Sequence, residues 1–196
     1  IEAAKILKQY PGIFTKGFLM LGFADETIGQ ILETINLAVE LRLDWYSIQI
    51  LTVFPSTEIH KDLVKKGKMQ EKDFTNKFFF GSTGELRLRE IQERQKAKPF
   101  INHLEADPNT VPSGEQLKDI WFLMDYKVNY EKILTEDRPI KLNMLQKMLN
   151  AVCNRIGTLP LPTLYLGILE EKLGNYNKSQ ELKELAKTFL SNSAYW

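Results

Sequence analysis

The amino-acid sequence predicts an α/β fold over roughly its first half and an all-α helical domain after it. Three observations carry this. Two apolar or β-branched runs, residues 17–22 and 46–53, are separated by a stretch of helical period; a short capped helix follows the second run; and beyond Ser113 the apolar residues recur only at helical spacing. Composition agrees with a folded globular chain: of 196 residues, 43% are hydrophobic and 26% charged. The 26 Lys and Arg balance 25 Asp and Glu to a formal charge of +1, so charge points to neither a nucleic-acid nor an anionic-membrane partner.

The chain opens with a helix end over residues 1–9, broken at Pro11-Gly12, because proline lacks an N–H and pushes its predecessor out of the helical region. Residues 17–22 (GFLMLG) are continuously apolar, as in a parallel strand covered on both faces. The period then changes: Ile28, Ile31, Leu32, Ile35, Ala38 and Val39 mark a helix to about Leu41, with Thr27 and Gln30 as its capping box. A second strand, residues 46–53 (YSIQILTV), lies between Asp44 and Pro55. Ser56 or Thr57 caps a short helix carrying Ile59, Leu63 and Val64 and stopped at Gly67. Strand, helix, strand in this order predicts a parallel pair whose carboxyl ends emerge together, the edge where open α/β sheets hold ligands.

The pattern weakens over residues 70–112. An apolar triplet precedes the Gly-Ser-Thr-Gly turn at 81–84, residues 85–98 read as a mixed-charge helix, and Pro99, Pro108 and Pro112 mark a connecting loop. The domain boundary is placed there, giving units 1–112 and 113–196. Ser113 caps a helix with Leu117, Ile120, Trp121, Met124 and Val128 on one face, and Leu142, Leu145, Met148, Leu149 and Val152 mark the next. Leu166-Gly167, Leu173-Gly174-Asn175-Tyr176, Ser179 and Ala186 sit at the spacings of a tetratricopeptide-like helix pair, or of plain helical-hairpin packing.

Chemistry concentrates in residues 16–27 (KGFLMLGFADET). A glycine ending a buried strand lets a ligand approach the backbone, and a helix start with free N–H groups follows, which suits a polar or anionic group. A tight turn needing Gly22 for conformation alone is the plain alternative.

Taken together, these residues, the helix after them and residues 41–69 resemble the last strands of a radical S-adenosylmethionine enzyme barrel, in the subfamily that places a cobalamin-binding domain first. There a strand ends in Gly-x-Pro-Gly-Glu-Thr, and a later strand in Pro-x-Pro-Gly-Thr with a short helix closing on Gly. Gly22, Glu26 and Thr27 match the first motif, Pro55 and Thr57 the second, and Gly67 the closing position; Ala24, Asp25, Val53 and Ser56 depart from it. The resemblance covers residues 1–70. It implies a partial (β/α) barrel, with Met20 packing against the adenine of S-adenosylmethionine, Gly22 giving the cofactor room, Phe54 lying against the adenine from the neighbouring strand and Pro55 shaping that wall. Glu26 either joins this site or fixes the turn through backbone N–H groups.

The family's reaction requires a Cys-x-x-x-Cys-x-x-Cys motif holding a [4Fe–4S] cluster, which cleaves S-adenosylmethionine to a 5′-deoxyadenosyl radical. The chain contains one cysteine, Cys153, so the resemblance implies that the cluster ligands precede Ile1 and that this chain alone is inactive. A start at Ile1 rather than Met also suggests a fragment or processed product. Cobalamin is implied by the subfamily only, and the substrate is not specified.

Other candidates have simpler explanations. Arg87, Arg89 and Arg94 interleave with Glu85, Glu90 and Glu93 as a solvated helix face does. His60 and His103 read as surface or hydrogen-bonded residues, and Cys153 as a buried small side chain. Trp121 and Tyr126, near Asp125 and Asn129, suit either a pocket or helix packing. No apolar run reaches the roughly 18 residues of a membrane span, and no secretory signal is recognisable, so the expected location is cytoplasmic. The rival reading is a non-enzymatic helical-repeat module whose C-terminal hairpin binds a protein partner.

Overall fold

A computed structural model describes residues 1–67, 107–155 and 157–192. The elements expected over residues 70–106, with His103, lie outside them. Helix α1 (Glu2–Lys8) leads to strand β1 (Lys16–Leu21), helix α2 (Ile28–Leu41), strand β2 (Trp45–Ile50) and helix α3 (Glu58–Lys65). Helix α4 (Gly114–Asp125) continues without a break through a π-helical turn (Tyr126–Tyr130) and a 3₁₀ turn (Glu131–Thr135). Helices α5 (Pro139–Arg155), α6 (Pro160–Lys172) and α7 (Tyr176–Ser191) complete the described chain, which is mostly helical around a small sheet.

β1 and β2 pair in parallel, with Lys16 opposite Trp45 and Leu21 opposite Ile50. The expected parallel pair is therefore present, as the whole two-stranded sheet among the described residues; no barrel is seen among them. β2 stops three residues short of its expected end. After Leu51 N–H donates to the Leu21 carbonyl, β1 turns away at Gly22, and the pairing of β1 with β2 ends there.

The two sheet faces differ. Leu21, Tyr46, Ile48 and Ile50 are buried with Ile31, Ile35 and Ala38 of α2 and with Trp121, Met124 and Val128 of the α4 segment, while Leu19 packs beside them. The helix after Ser113 thus shares its core with the strands. At roughly 25 cal/mol per Å² of apolar surface removed from water, such shared burial is the main force holding them together. The alternate residues, Phe18 and Met20, are exposed on the other face.

Among the described residues, side chains rather than a third strand bond the outer edge of β2. Asn129, fully buried, accepts from Tyr46 N–H (2.7 Å) and donates to Tyr46 O (2.9 Å), and Trp121 Nε1 donates to Ile48 O (3.0 Å). A continuous α-helix would bond i to i−4; the π turn inserts one extra residue per turn, and it is from this bulge that Asn129 reaches the strand.

A second cluster joins Trp45, Tyr130, Ile133, Leu142, Leu145, Leu149, Tyr165 and Leu169. In the α6–α7 hairpin a Cβ on Gly167 would stand 3.2 Å from Ser179 O and 3.3 Å from Leu182 Cβ, so the small residue there sets how closely the helices cross. Glu170 is fully buried in the same hairpin; burial alone would raise its carboxyl, but bonds from Lys178, Asn175 and Gln146 hold it below its usual value.

Candidate functional site

The β1–α2 turn is built from backbone donors that find internal acceptors. Gly22 takes φ +87°, a region closed to most side chains, and a Cβ there would stand 3.2 Å from both Ile50 Cγ2 and Leu117 Cδ1. The room left by its missing side chain therefore faces apolar residues of β2 and α4. Glu26 Oε2 accepts from Gly22 N–H (2.6 Å) and Phe23 N–H (3.3 Å), which is the turn-fixing use of that carboxylate.

The start of α2 is satisfied in the same way. Thr27 and Gln30 form both halves of the capping box; Ile28 N–H donates to Thr110 O (2.9 Å) and Gly29 N–H to Pro108 O (2.8 Å). The free N–H groups expected at this helix start are thus occupied, the last two by the loop at 107–113. Sequence spacing could not show this, because the acceptors lie about 80 residues away.

The other sheet face is covered at Trp45 and Ser47 of β2, which are buried, and exposed along β1. Register puts Phe18 beside Ser47 and Met20 beside Gln49, and partners in register present their side chains to the same face. Phe18 is 75% exposed and Met20 42%. Phe54 (59% exposed) and Pro55 follow the end of β2, so they emerge on the sheet edge where Met20 and Gly22 end β1. Their turn is fixed by Thr57, whose hydroxyl donates to Phe54 O (2.7 Å) and accepts from His60 N–H (3.2 Å) as the cap of α3. Met20 and Phe54 are both exposed apolar residues at this end of the sheet, and Glu26 is engaged within its own turn.

A cleft of about 720 Å³ lies at the same end, between α2 and α3, lined among others by Phe23, Glu26, Thr34, Leu37, Ile59 and Leu63. Met20, Gly22 and Phe54 are not among its lining residues. Along α6 and α7 a groove of about 320 Å³ is lined by Leu161, Leu164, Ala186 and Leu190 with Lys183 and Lys187 at its rim.

Two features escaped the sequence reading. His60 is buried, and its Nε2 has no hydrogen-bond partner, in contrast to the surface or bonded histidine expected. Behind β2 lies a cluster of titratable groups. Burial pushes the Asp125 carboxyl up to about 6, opposed by the Asn129 amide (2.7 Å) and the Lys132 charge. Burial likewise lowers Lys132 to about 7, while its Nζ donates to Leu43 O (2.5 Å) and stands 5.5 Å from the Tyr46 ring centre. A single Asp and Lys in a helical pattern carry no sign of such burial. Trp121 and Asn129 serve packing and edge closure. Cys153 is half-buried, its thiol raised by burial.

Among the described residues, no three His, Cys, Asp or Glu side chains are grouped to hold a metal ion, and no helix is long and apolar enough to cross a membrane. No family model matches the chain, and no curated protein or solved structure matches it. The class defined by fold and site is a parallel β-α-β unit, closed on one edge and one face by helices, with Phe18 and Met20 exposed on the other face.

Proposed function

We propose that this chain is the closing portion of a cytoplasmic radical S-adenosylmethionine enzyme and forms the adenine-side wall of its cofactor pocket. One observation carries the reading: a parallel strand pair in which β1 ends in the exposed Met20 and the Gly22 turn while the exposed Phe54 follows β2 at the same carboxyl end. An apolar platform at that edge suits the face of a purine ring. S-adenosylmethionine, when bound and reduced by a [4Fe–4S] cluster, supplies the 5′-deoxyadenosyl group that removes a substrate hydrogen or, with cobalamin, supports radical methylation. Met20 and Phe54 would hold the base and exclude water from it, while Glu26 and Gly22 keep the turn beneath it in place. Cluster ligands would come from a segment before Ile1.

The test is anaerobic reconstitution of the full-length protein with iron and sulfide, followed by measurement of 5′-deoxyadenosine and S-adenosylhomocysteine. Either product, together with at least tenfold weaker S-adenosylmethionine binding in Met20→Lys at an unchanged melting temperature, is the expected result. A reconstituted protein yielding neither product would overturn it.

The α6–α7 groove favours a second reading, a helical module that binds a protein partner through Leu161, Leu164 and Leu190. It predicts that Leu164→Glu abolishes association with such a partner while leaving S-adenosylmethionine binding intact.

A further inference from the structure

The cleft of about 720 Å³ between α2 and α3 takes no part in the core or in the cofactor wall. Helical spacing shapes both of its sides: α2 contributes Glu33 and Leu37, one turn apart, and α3 contributes Ile59, Asp62 and Leu63. The core face of α2 is already used by Ile31, Ile35 and Ala38, so Leu37 stands outside it. Phe23, Leu37 and Ile59 line the cleft and remain 44%, 43% and 41% exposed. Single exposed apolar side chains are ordinary; three gathered around one concavity mark a surface that binds.

The charge along this cleft has one sign. Asp25, Glu26, Glu33 and Asp62 line it, and no Lys, Arg or His is among its described lining residues. Glu26 is spent on the β1–α2 turn, while Lys66 pairs with both Asp25 (3.3 Å) and Asp62 (2.8 Å). Two carboxylates sharing one ammonium leave a negative excess, and Glu33 adds a charge with no ion pair among the described residues. Because the whole chain carries a formal charge of +1, attraction for a cation is local to this cleft.

We propose that the cleft docks a basic amphipathic helix of a protein partner, its apolar stripe against Phe23, Leu37 and Ile59 and its Lys or Arg side chains against Glu33, Asp62 and Asp25. Two helices that present apolar residues one turn apart across a cleft offer a third helix the ridges it packs against. The carboxylates select among occupants: they repel nucleic acid, an anionic membrane and a second copy of the same face, and attract a cationic segment. Exposed charges of this kind add little affinity and act on encounter rate and partner choice, so the complex is transient and salt-sensitive. The docking surface is independent of the cofactor wall, since Met20, Gly22 and Phe54 do not line it.

The experiment titrates the full-length protein into a fluorescein-labelled helical peptide of about 18 residues, with a Leu stripe flanked by Lys, and follows anisotropy. A twin peptide carries Glu at every Lys position. Saturable binding of the Lys peptide is expected, at least tenfold tighter than that of its twin and several-fold weaker when NaCl rises from about 50 to 300 mM. Glu33→Lys should weaken it about three- to tenfold, and Leu37→Ser about tenfold. Glu40→Lys, the same change of net charge on α2 but outside the cleft, should leave it unchanged. All three positions are exposed, so melting temperatures should hold, and Ile59→Ser gives the apolar reading should Leu37→Ser fold poorly. Equal losses in Glu33→Lys and Glu40→Lys, or binding indifferent to both serine variants, would reduce the effect to diffuse charge attraction and overturn the site. A dimer in sedimentation that Leu37→Ser dissociates would give the face to a second copy, and absence of saturable Lys-peptide binding would remove the helix-docking role; either overturns the proposal.

Discussion

Asn129 clamps the backbone of Tyr46 from both sides: its side-chain oxygen accepts from Tyr46 N–H at 2.7 Å and its nitrogen donates to Tyr46 O at 2.9 Å. One side chain thus does for β2 what a neighbouring strand would do, in a place reached only because the helix bulges there. Asn129→Leu would leave both Tyr46 groups buried without partners, and each such group costs about 1–3 kcal/mol. A loss of about 2–4 kcal/mol is expected in urea unfolding at neutral pH. A loss below about 0.5 kcal/mol would show that water or a local shift replaces the clamp.

Asp44 and Lys141 form an ion pair at 2.8 Å with both side chains more than nine-tenths buried, joining α5 to the turn before β2. Asp44 also accepts from the Thr15 N–H and hydroxyl, and Lys141 donates to Ile13 O. Lys141→Met removes one charge and strands the other, so it should cost about 3–5 kcal/mol. The double variant Asp44→Asn/Lys141→Met should recover part of this, because no unpaired charge remains; chemical unfolding of the three variants checks the order.

Stability should fall as pH rises from about 4 to 6. The folded carboxyl of Asp125 is raised to about 6, so between the ordinary carboxylate value and 6 the folded chain holds a proton that the unfolded chain has released. The stabilisation is complete below about 4 and lost as pH passes through 6. Lys132, lowered to about 7, acts with the opposite sign: from 7 towards 10.5 the unfolded chain binds the extra proton, and stability rises with pH. Asp125→Asn should flatten the acidic limb alone, and Lys132→Met the alkaline one. Unfolding midpoints measured from pH 4 to 9.5 decide this, and an Asp125→Asn profile parallel to wild type would contradict it.

Gly22→Ala meets two obstacles, a backbone at φ +87° and contacts of 3.2 Å to Ile50 and Leu117. A loss of about 1–3 kcal/mol is expected. Adding Leu117→Ala should recover the packing share and leave the conformational share, which thermal melts of the two variants separate.

Much of the local structure was legible in the sequence. The capping box at Thr27–Gln30, the N-cap at Ser113, a cap at Ser56 or Thr57 and the faces carrying Ile31, Ile35, Leu145 and Leu149 depend on neighbours within a turn or two, so spacing alone reveals them. The parallel pairing of the strands also followed from their order. The π turn did not, because its cause is a partner, the β2 edge, some 80 residues earlier in the chain. For the same reason the occupied N–H groups of Ile28 and Gly29 in α2 and the close packing over Gly22 were invisible before the chain was folded.

What the sequence by itself determined is the kind and order of the elements and which side of each is apolar, since these follow from short-range sterics and periodicity. Tertiary structure alone decided which distant acceptors the backbone donors meet. The N–H groups of Ile28 and Gly29 looked available in the sequence, yet Thr110 and Pro108 took them, and Glu26, for which a site role and a turn role were both open, took those of Gly22 and Phe23. Hydrogen bonds between distant segments form by proximity in space, and a linear pattern carries no record of that.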